Sequence, residues 1–139
     1  MDLANREIVG WACSDVADTN LVIKALQYAL AKQKKVQSPL LFHSDQGTQY
    51  TSNAFSQYLQ SNNITQSMSR RGNCLDNAVM ERFFRSLKTE RLNSIAIIGH
   101  DSAKRIVEKT IRFYNYKRRH SALGYVAPAI KRKQMENAA

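Results

Sequence analysis

This 139-residue sequence predicts an α/β domain. Short runs of strand formers alternate along it with stretches whose apolar residues recur at helical spacing. The hydrophobic fraction is 43%, with one Trp, six Tyr and five Phe, which is enough material for a core. With two Pro and five Gly the chain carries no Pro/Gly-rich linker, and it has no repeat or low-complexity tract.

The elements follow in order. Asp2-Leu3-Ala4-Asn5-Arg6 has turn chemistry, and Ile8-Val9-Gly10-Trp11-Ala12 predicts a short strand directly after it. A strand entered from a turn is the expectation for a fragment that starts in mid-hairpin. Asp18 or Thr19 caps a helix from about Asn20 to Lys34, with Leu21, Val22, Ala25, Leu26, Ala29 and Leu30 on its inner face. Pro39 interrupts, and Leu40-Leu41-Phe42-His43 reads as a buried strand. Ser52 opens a helix carrying Phe55, Tyr58 and Leu59 that ends near Asn62-Asn63, and Ile64 to Ser69 is a short strand. Arg70-Arg71-Gly72-Asn73 is a loop. Asp76 caps a helix from Asn77 to about Arg91 with Val79, Phe83 and Leu87 along one face. A last helix starts near Asp101-Ser102 and turns Ile106, Val107, Ile111 and Tyr114 inward. Ser121 to Tyr125 is irregular, and Pro128 discourages helix until the basic end. The expected division is residues 1–100 as core and 101–139 as a basic helix and tail packed on it.

Composition excludes several classes. The apolar content argues against disorder, and no apolar run approaches the roughly 20 residues that span a bilayer. Met1 to Arg6 has no basic stretch followed by an apolar one, so it is not a secretory signal. Cys13 and Cys74 provide neither a disulfide framework nor a Cys-x-x-Cys zinc pair, which makes a reducing, cytoplasmic setting the default. The charge is a positive clue: 21 Lys+Arg against 11 Asp+Glu gives a net +10. Residues 104–139 hold ten bases and two acids, so eight of those ten charges sit in the last quarter. That localised excess is the footprint of a polyanion binder, the alternative being a soluble protein with a basic tail.

Two acids stand out. Asp45 follows an apolar strand, and the carboxyl ends of strands are where α/β sheets build sites. Turn capping is its structural alternative. Glu81 lies one turn into the helix capped by Asp76, on a stripe with Arg85 and Lys88, while Phe83 and Leu87 face elsewhere. An acid followed by bases on one face can hold a metal beside a phosphate, or it can be a solvated salt-bridge face. The 35 residues between Asp45 and Glu81 are weak evidence by themselves.

The surrounding sequence is more specific. His43-Ser44-Asp45-Gln46-Gly47-Thr48-Gln49-Tyr50 resembles the second-carboxylate motif of DDE transposases and integrases. Within that family it is most similar to the second-reading-frame transposases of bacterial insertion sequences. Ser67 through Glu81, continuing as Arg82-Phe83-Phe84-Arg85-Ser86-Leu87-Lys88-Thr89-Glu90, resembles the approach to the third carboxylate. Tyr114-Asn115-Tyr116-Lys117-Arg118-Arg119-His120-Ser121-Ala122-Leu123-Gly124-Tyr125 with Pro128 resembles the C-terminal signature, and Arg6-Glu7-Ile8-Val9-Gly10-Trp11 an early strand. The similarity covers nearly the whole chain. Arg119 stands where these proteins usually have Pro. The strand bearing the family's first catalytic Asp has no counterpart here, and Asp2 corresponds to the acid of a turn.

The resemblance implies a ribonuclease-H-like integrase core, a mixed sheet flanked by helices with its first strands missing. It further implies DNA nicking and strand transfer with two Mg²⁺ or Mn²⁺ ions. Asp45 and Glu81 are then the catalytic metal ligands, and little or no activity is expected without the bridging Asp. A non-catalytic DNA-binding or inhibitory transposase remnant is the alternative, and an RNA-binding ribosomal-type protein leaves the Asp45 and Glu81 motifs unexplained. DNA is the expected partner, together with self-association or association with intact transposase, in a nucleoid-associated cytoplasmic setting. His43 can contact phosphate or orient Asp45, or can be a satisfied buried histidine. Arg70, Arg71, Asn73 and Asn77 position phosphates or merely solvate a loop. Arg85 and Lys88 offer phosphate contacts beside Glu81. Lys117, Arg118, Arg119 and His120, interleaved with Tyr114 and Tyr116, suit a DNA backbone, though a basic helix end also complements its own dipole.

Overall fold

Two parallel strands joined by a helix form the sheet found among the described residues. The computed structural model describes residues 1–32, 39–70, 78–93 and 99–138. These divide into two compact units, residues 10–82 and residues 1–9 with 83–139.

In the unit of residues 10–82, helix α1 spans Thr19–Lys32. Asp18 caps it as expected, its Oδ1 accepting from the Leu21 N–H at 2.9 Å. Strand β1 (Leu40–Ser44) is followed by helix α2 (Asn53–Ser61) and strand β2 (Ile64–Met68). The strands pair in parallel, Leu40 opposite Ile64 through Ser44 opposite Met68, which requires the crossover that α2 provides. Ser52 caps α2 by accepting from the Phe55 N–H at 3.3 Å, as its position predicted. Leu26, Phe55, Leu59 and Ile64 form the core, with Leu40, Phe42 and Tyr50 packed against it. Phe42, Tyr50 and Phe55 meet as tilted or edge-on rings 5.2–6.1 Å apart. β1 is half-buried rather than buried: Leu41, on the opposite face from Phe42, is 61% exposed.

The strand expected at Ile8–Ala12 does not form. A strand needs a laddered neighbour, and Ile8 instead gives its backbone N–H and C=O to the side chain of Asn115, at 2.9 and 3.0 Å. Gly10 lies flat on α1: a Cβ there would come within 2.3 Å of the Ala25 carbonyl oxygen and 2.5 Å of the Ala29 nitrogen. The turn read at Asp2–Arg6 is present, with Asp2 accepting from the Ala4 N–H and the Asn5 amide.

Helix α3 (Ala78–Leu87) continues into a wider π-helical turn over Lys88–Leu92, so the helical path reaches the expected end with a changed last turn. Its N-terminal cap, expected at Asp76, lies outside the described residues. In the second unit, helix α4 (His100–Tyr116) buries Ile111, Tyr114 and Asn115. Phe83 of α3 meets the Tyr114 ring edge-on at 5.0 Å. Helix α5 (Pro128–Glu136) corrects the reading of Pro128. That residue occupies the first helical turn, where a missing N–H costs nothing and a fixed φ favours helix. Upstream, Ser121–Leu123 forms one 3₁₀ turn, closed by Gly124 at φ 73°. Glu7, fully buried, takes the Arg132 Nε at 2.8 Å and so ties α5 to the N-terminal segment. Among the described residues no helix is long and apolar enough to cross a membrane.

Candidate active site

The end of β1 is tied down by its own loop and by the residue following β2. Ser44 is buried, and its carbonyl accepts from the Ser69 N–H at 2.8 Å. Gln46 reaches the Ser69 carbonyl at 3.1 Å, and Gln49 reaches the Ala17 carbonyl at 2.9 Å. These contacts hold both flanks of Asp45, which is itself exposed. Its Oδ1 accepts from the Gly47 N–H at 2.9 Å, an Asx turn that orients the carboxylate. A Cβ at Gly47 would stand 3.0 Å from that same oxygen, so a larger residue there would require the carboxylate to shift by a few tenths of an ångström. Asp45 Oδ2 accepts no hydrogen bond among the described residues. Burial pushes the Tyr50 phenol up, and the neighbouring Asp45 charge adds to the shift.

His43 is half-buried between two serines, Nδ1 at 3.0 Å from Ser67 Oγ and Nε2 at 3.0 Å from Ser69 Oγ. Ser67 is its partner in the strand register, and Ser69 follows two residues on along the same face. Both ring nitrogens are therefore engaged within the protein. The sequence reading did not single out these serines, although their alternate spacing on a predicted strand was the available signal.

Glu81 is exposed on α3, with no ion pair or hydrogen bond among the described residues, so it does not form a salt bridge with Arg85. Asp45 and Glu81 both belong to the unit of residues 10–82. Arg70 is exposed, whereas Arg71, Asn73 and Asn77 lie outside the described residues. Arg85 and Lys88 are exposed and belong to the second unit from residue 83 onward.

The basic residues after α4 fall into two groups. Lys117 and Arg119 are exposed. Arg118 is engaged: its guanidinium forks onto Glu90 at 2.8 and 3.0 Å. Arg118 in turn holds the Glu90 carboxyl below its ordinary range, chiefly through those hydrogen bonds. No local pattern announces this pair, whose members are 28 residues apart. His120 packs its ring edge-on against Tyr114 at 4.7 Å, and its Nε2 is buried with no partner among the described residues. Burial, then the Arg118 and Arg6 charges, push the imidazole down.

Asp45 and Glu81 have the chemistry of a hard divalent cation's ligands, and among the described residues one carboxylate oxygen of the first and both of the second accept no hydrogen bond. Among the described residues no three His, Cys, Asp or Glu side chains gather into a metal-holding group. Asp45 and Glu81 are each a hard oxygen donor of the type such a cation takes.

Two family models, each described as an integrase core domain, match residues 1–74 and 62–128. The chain belongs to the integrase core domain family. It is 39% identical over 129 residues to the transposase for insertion sequence element IS904 of Lactococcus lactis, covering 92% of this chain and 51% of that protein. It is 36% identical over 138 residues to the transposase InsF for insertion sequence IS3A of Escherichia coli, covering 99% and 46%. The chain thus spans about half the length of the curated relatives it matches. The catalytic core domain of BIV integrase superposes with a TM-score of 0.62 over 90% of this chain and 77% of that one, at 20% identity. That likeness establishes the ribonuclease-H-like integrase fold.

Proposed function

We propose that this integrase core acts in DNA transposition, contributing Asp45 and Glu81 as metal ligands for phosphoryl transfer on DNA. The observation that carries the reading is the preparation of Asp45. The carboxylate stands at the carboxyl end of a parallel strand, with one oxygen held by the Gly47 N–H and the other open. Transposase relatives along nearly the whole chain support the transposition part of this reading.

The protein's own part is to hold carboxylates in place before any substrate arrives. Ser69, Gln46 and Gln49 anchor the backbone around Asp45, so its charge is presented without a reorganisation cost. Glu81 is presented on a helix whose Phe83 and Leu87 are buried. When bound, Mg²⁺ or Mn²⁺ would activate the attacking oxygen and stabilise the leaving one. The exposed cations Arg70, Arg85, Lys88, Lys117 and Arg119 provide phosphate contacts of the sequence-independent kind. His43, Arg118 and His120, expected on DNA as well, are already engaged by Ser67 and Ser69, by Glu90 and by Tyr114, so they reach phosphate only when those contacts open. The setting is the cytoplasm, where DNA is the substrate.

Residues 1–139 provide two of the three carboxylates that the family resemblance calls for, so these residues by themselves are weak or inactive in nicking. The test combines Mn²⁺ titration followed by electron paramagnetic resonance with nicking of supercoiled plasmid in Mg²⁺ and Mn²⁺. Asp45→Asn and Glu81→Gln are each expected to weaken Mn²⁺ binding about tenfold or more and to abolish any nicking. Unchanged Mn²⁺ affinity in both variants would overturn the assignment. Salt-sensitive DNA binding would then favour a non-catalytic DNA-binding remnant.

A further inference from the structure

The charge of this chain is divided unequally. The unit of residues 1–9 and 83–139 contains 14 Lys+Arg and 6 Asp+Glu, a net +8 of the chain's +10. Three of those bases lie along the outer face of α4. Arg105, Lys109 and Arg112 are all exposed, with Tyr116 following at 51% exposure. At 3.6 residues per turn these four fall within about 60° of one another, a single stripe roughly 16 Å long. Its members stand about 5–6 Å from their neighbours.

Among the described residues the stripe has no partner. None of Arg105, Lys109 and Arg112 makes an ion pair or side-chain hydrogen bond among the described residues. Glu108 flanks it three residues from Arg105 and four from Arg112, yet pairs with neither. The opposite face of α4 is fixed by the buried Ile111, Tyr114 and Asn115, so the stripe is held outward. Phe113 borders it at 42% exposure, with the Arg91 guanidinium 5.6 Å from its ring centroid.

We propose that the outer face of α4 is a binding surface for unpaired DNA, with Arg105, Lys109 and Arg112 on the phosphates and Tyr116 stacked on a base. This deepens the function proposed above, since it rests on DNA as the partner, and it adds a surface in the unit that does not contain Asp45 and Glu81. Charge complementarity selects a polyanion, and the concentrated positive charge disfavours a second copy of the chain. The aromatic ring selects the unpaired form. Cations suffice for a duplex backbone, whose bases are already stacked, whereas a tyrosine among cations offers a base face a platform.

The test is equilibrium binding of the full chain to labelled oligothymidylate and to a matched duplex across KCl, in EDTA so that no metal-dependent step enters. Replacing the three cations together (R105Q/K109Q/R112Q) should reduce the slope of log K on log salt by about 2 for the single strand. Tyr116→Ala should weaken oligothymidylate binding about 5- to 100-fold, leave the duplex unchanged, and be rescued by Tyr116→Phe. Circular dichroism of each variant checks that α4 is intact. An unchanged slope in the triple variant, or equal effects of Tyr116→Ala on both DNAs, overturns the proposal. Asp45→Asn is carried separately through the Mn²⁺ titration described above. Loss of Mn²⁺ binding in that variant, with the α4 variants silent, would sink this surface and leave the proposed function standing.

Discussion

Asn115 and Ile8 are 107 residues apart in sequence, yet the amide of one completes both backbone hydrogen bonds of the other. Asn115 Oδ1 accepts from the Ile8 N–H at 2.9 Å, and Nδ2 donates to the Ile8 carbonyl at 3.0 Å. A buried side chain thus does for one residue what a neighbouring strand would do for several. Asn115→Leu should leave two buried backbone groups unpaired and cost about 2 kcal/mol or more. Asn115→Asp keeps the acceptor and loses the donor. Urea midpoints should rank the parent chain above both variants.

Gly10 offers a second packing test. A methyl group there would meet α1 backbone at 2.3 and 2.5 Å, atoms that cannot rotate away. Gly10→Ala should therefore destabilise the unit of residues 10–82 by about 1–3 kcal/mol. Amide exchange along α1 would report it. Protection unchanged from the parent chain would mean that the helix shifts at no cost.

The fold disfavours the charged form of His120, because burial and then the Arg118 and Arg6 charges lower its pKa from 6.5. An unfolded chain binds the proton first as the pH falls, so stability is full above about pH 6.5 and declines below it. The Glu90 carboxyl is also lowered, by Arg118, and its contribution is lost further down, below pH 4.5. The two windows are separable. His120→Phe keeps a ring against Tyr114, removes the unpartnered Nε2 and should flatten stability between pH 5 and 7. Urea midpoints measured across that range check it.

Arg118 and Arg119 are adjacent, and the structure separates their roles. Arg118 spends its fork on Glu90, whereas Arg119 is exposed. Arg119→Gln should lower DNA affinity and its salt slope more than Arg118→Gln does. Equal losses from the two would show that DNA displaces Glu90.

Local chemistry made much of this protein legible. Asp18 and Ser52 are caps whose side chains act within three residues, so sequence alone located both helix starts. Apolar spacing identified Phe55, Leu59, Phe83, Ile111 and Tyr114 as inward-facing, because helical period is a property of the chain itself. The motif around Asp45 likewise placed an acid at a strand end.

Sequence failed where a partner had to come from far along the chain. Ile8–Ala12 has strand composition, but whether it pairs depends on what lies beside it, and Asn115 does. Pro128 forbids helix before it and favours helix after it, a distinction settled by where the preceding turn ends. Tertiary structure also decided that His43 sits between Ser67 and Ser69, that Arg118 belongs to Glu90, and that Gly47 orients Asp45. The sequence by itself determined which residues carry charge, cap helices and face inward, since those properties act over a turn or two. Tertiary structure alone decided which charges are engaged and which are open, because that depends on partners brought close by folding.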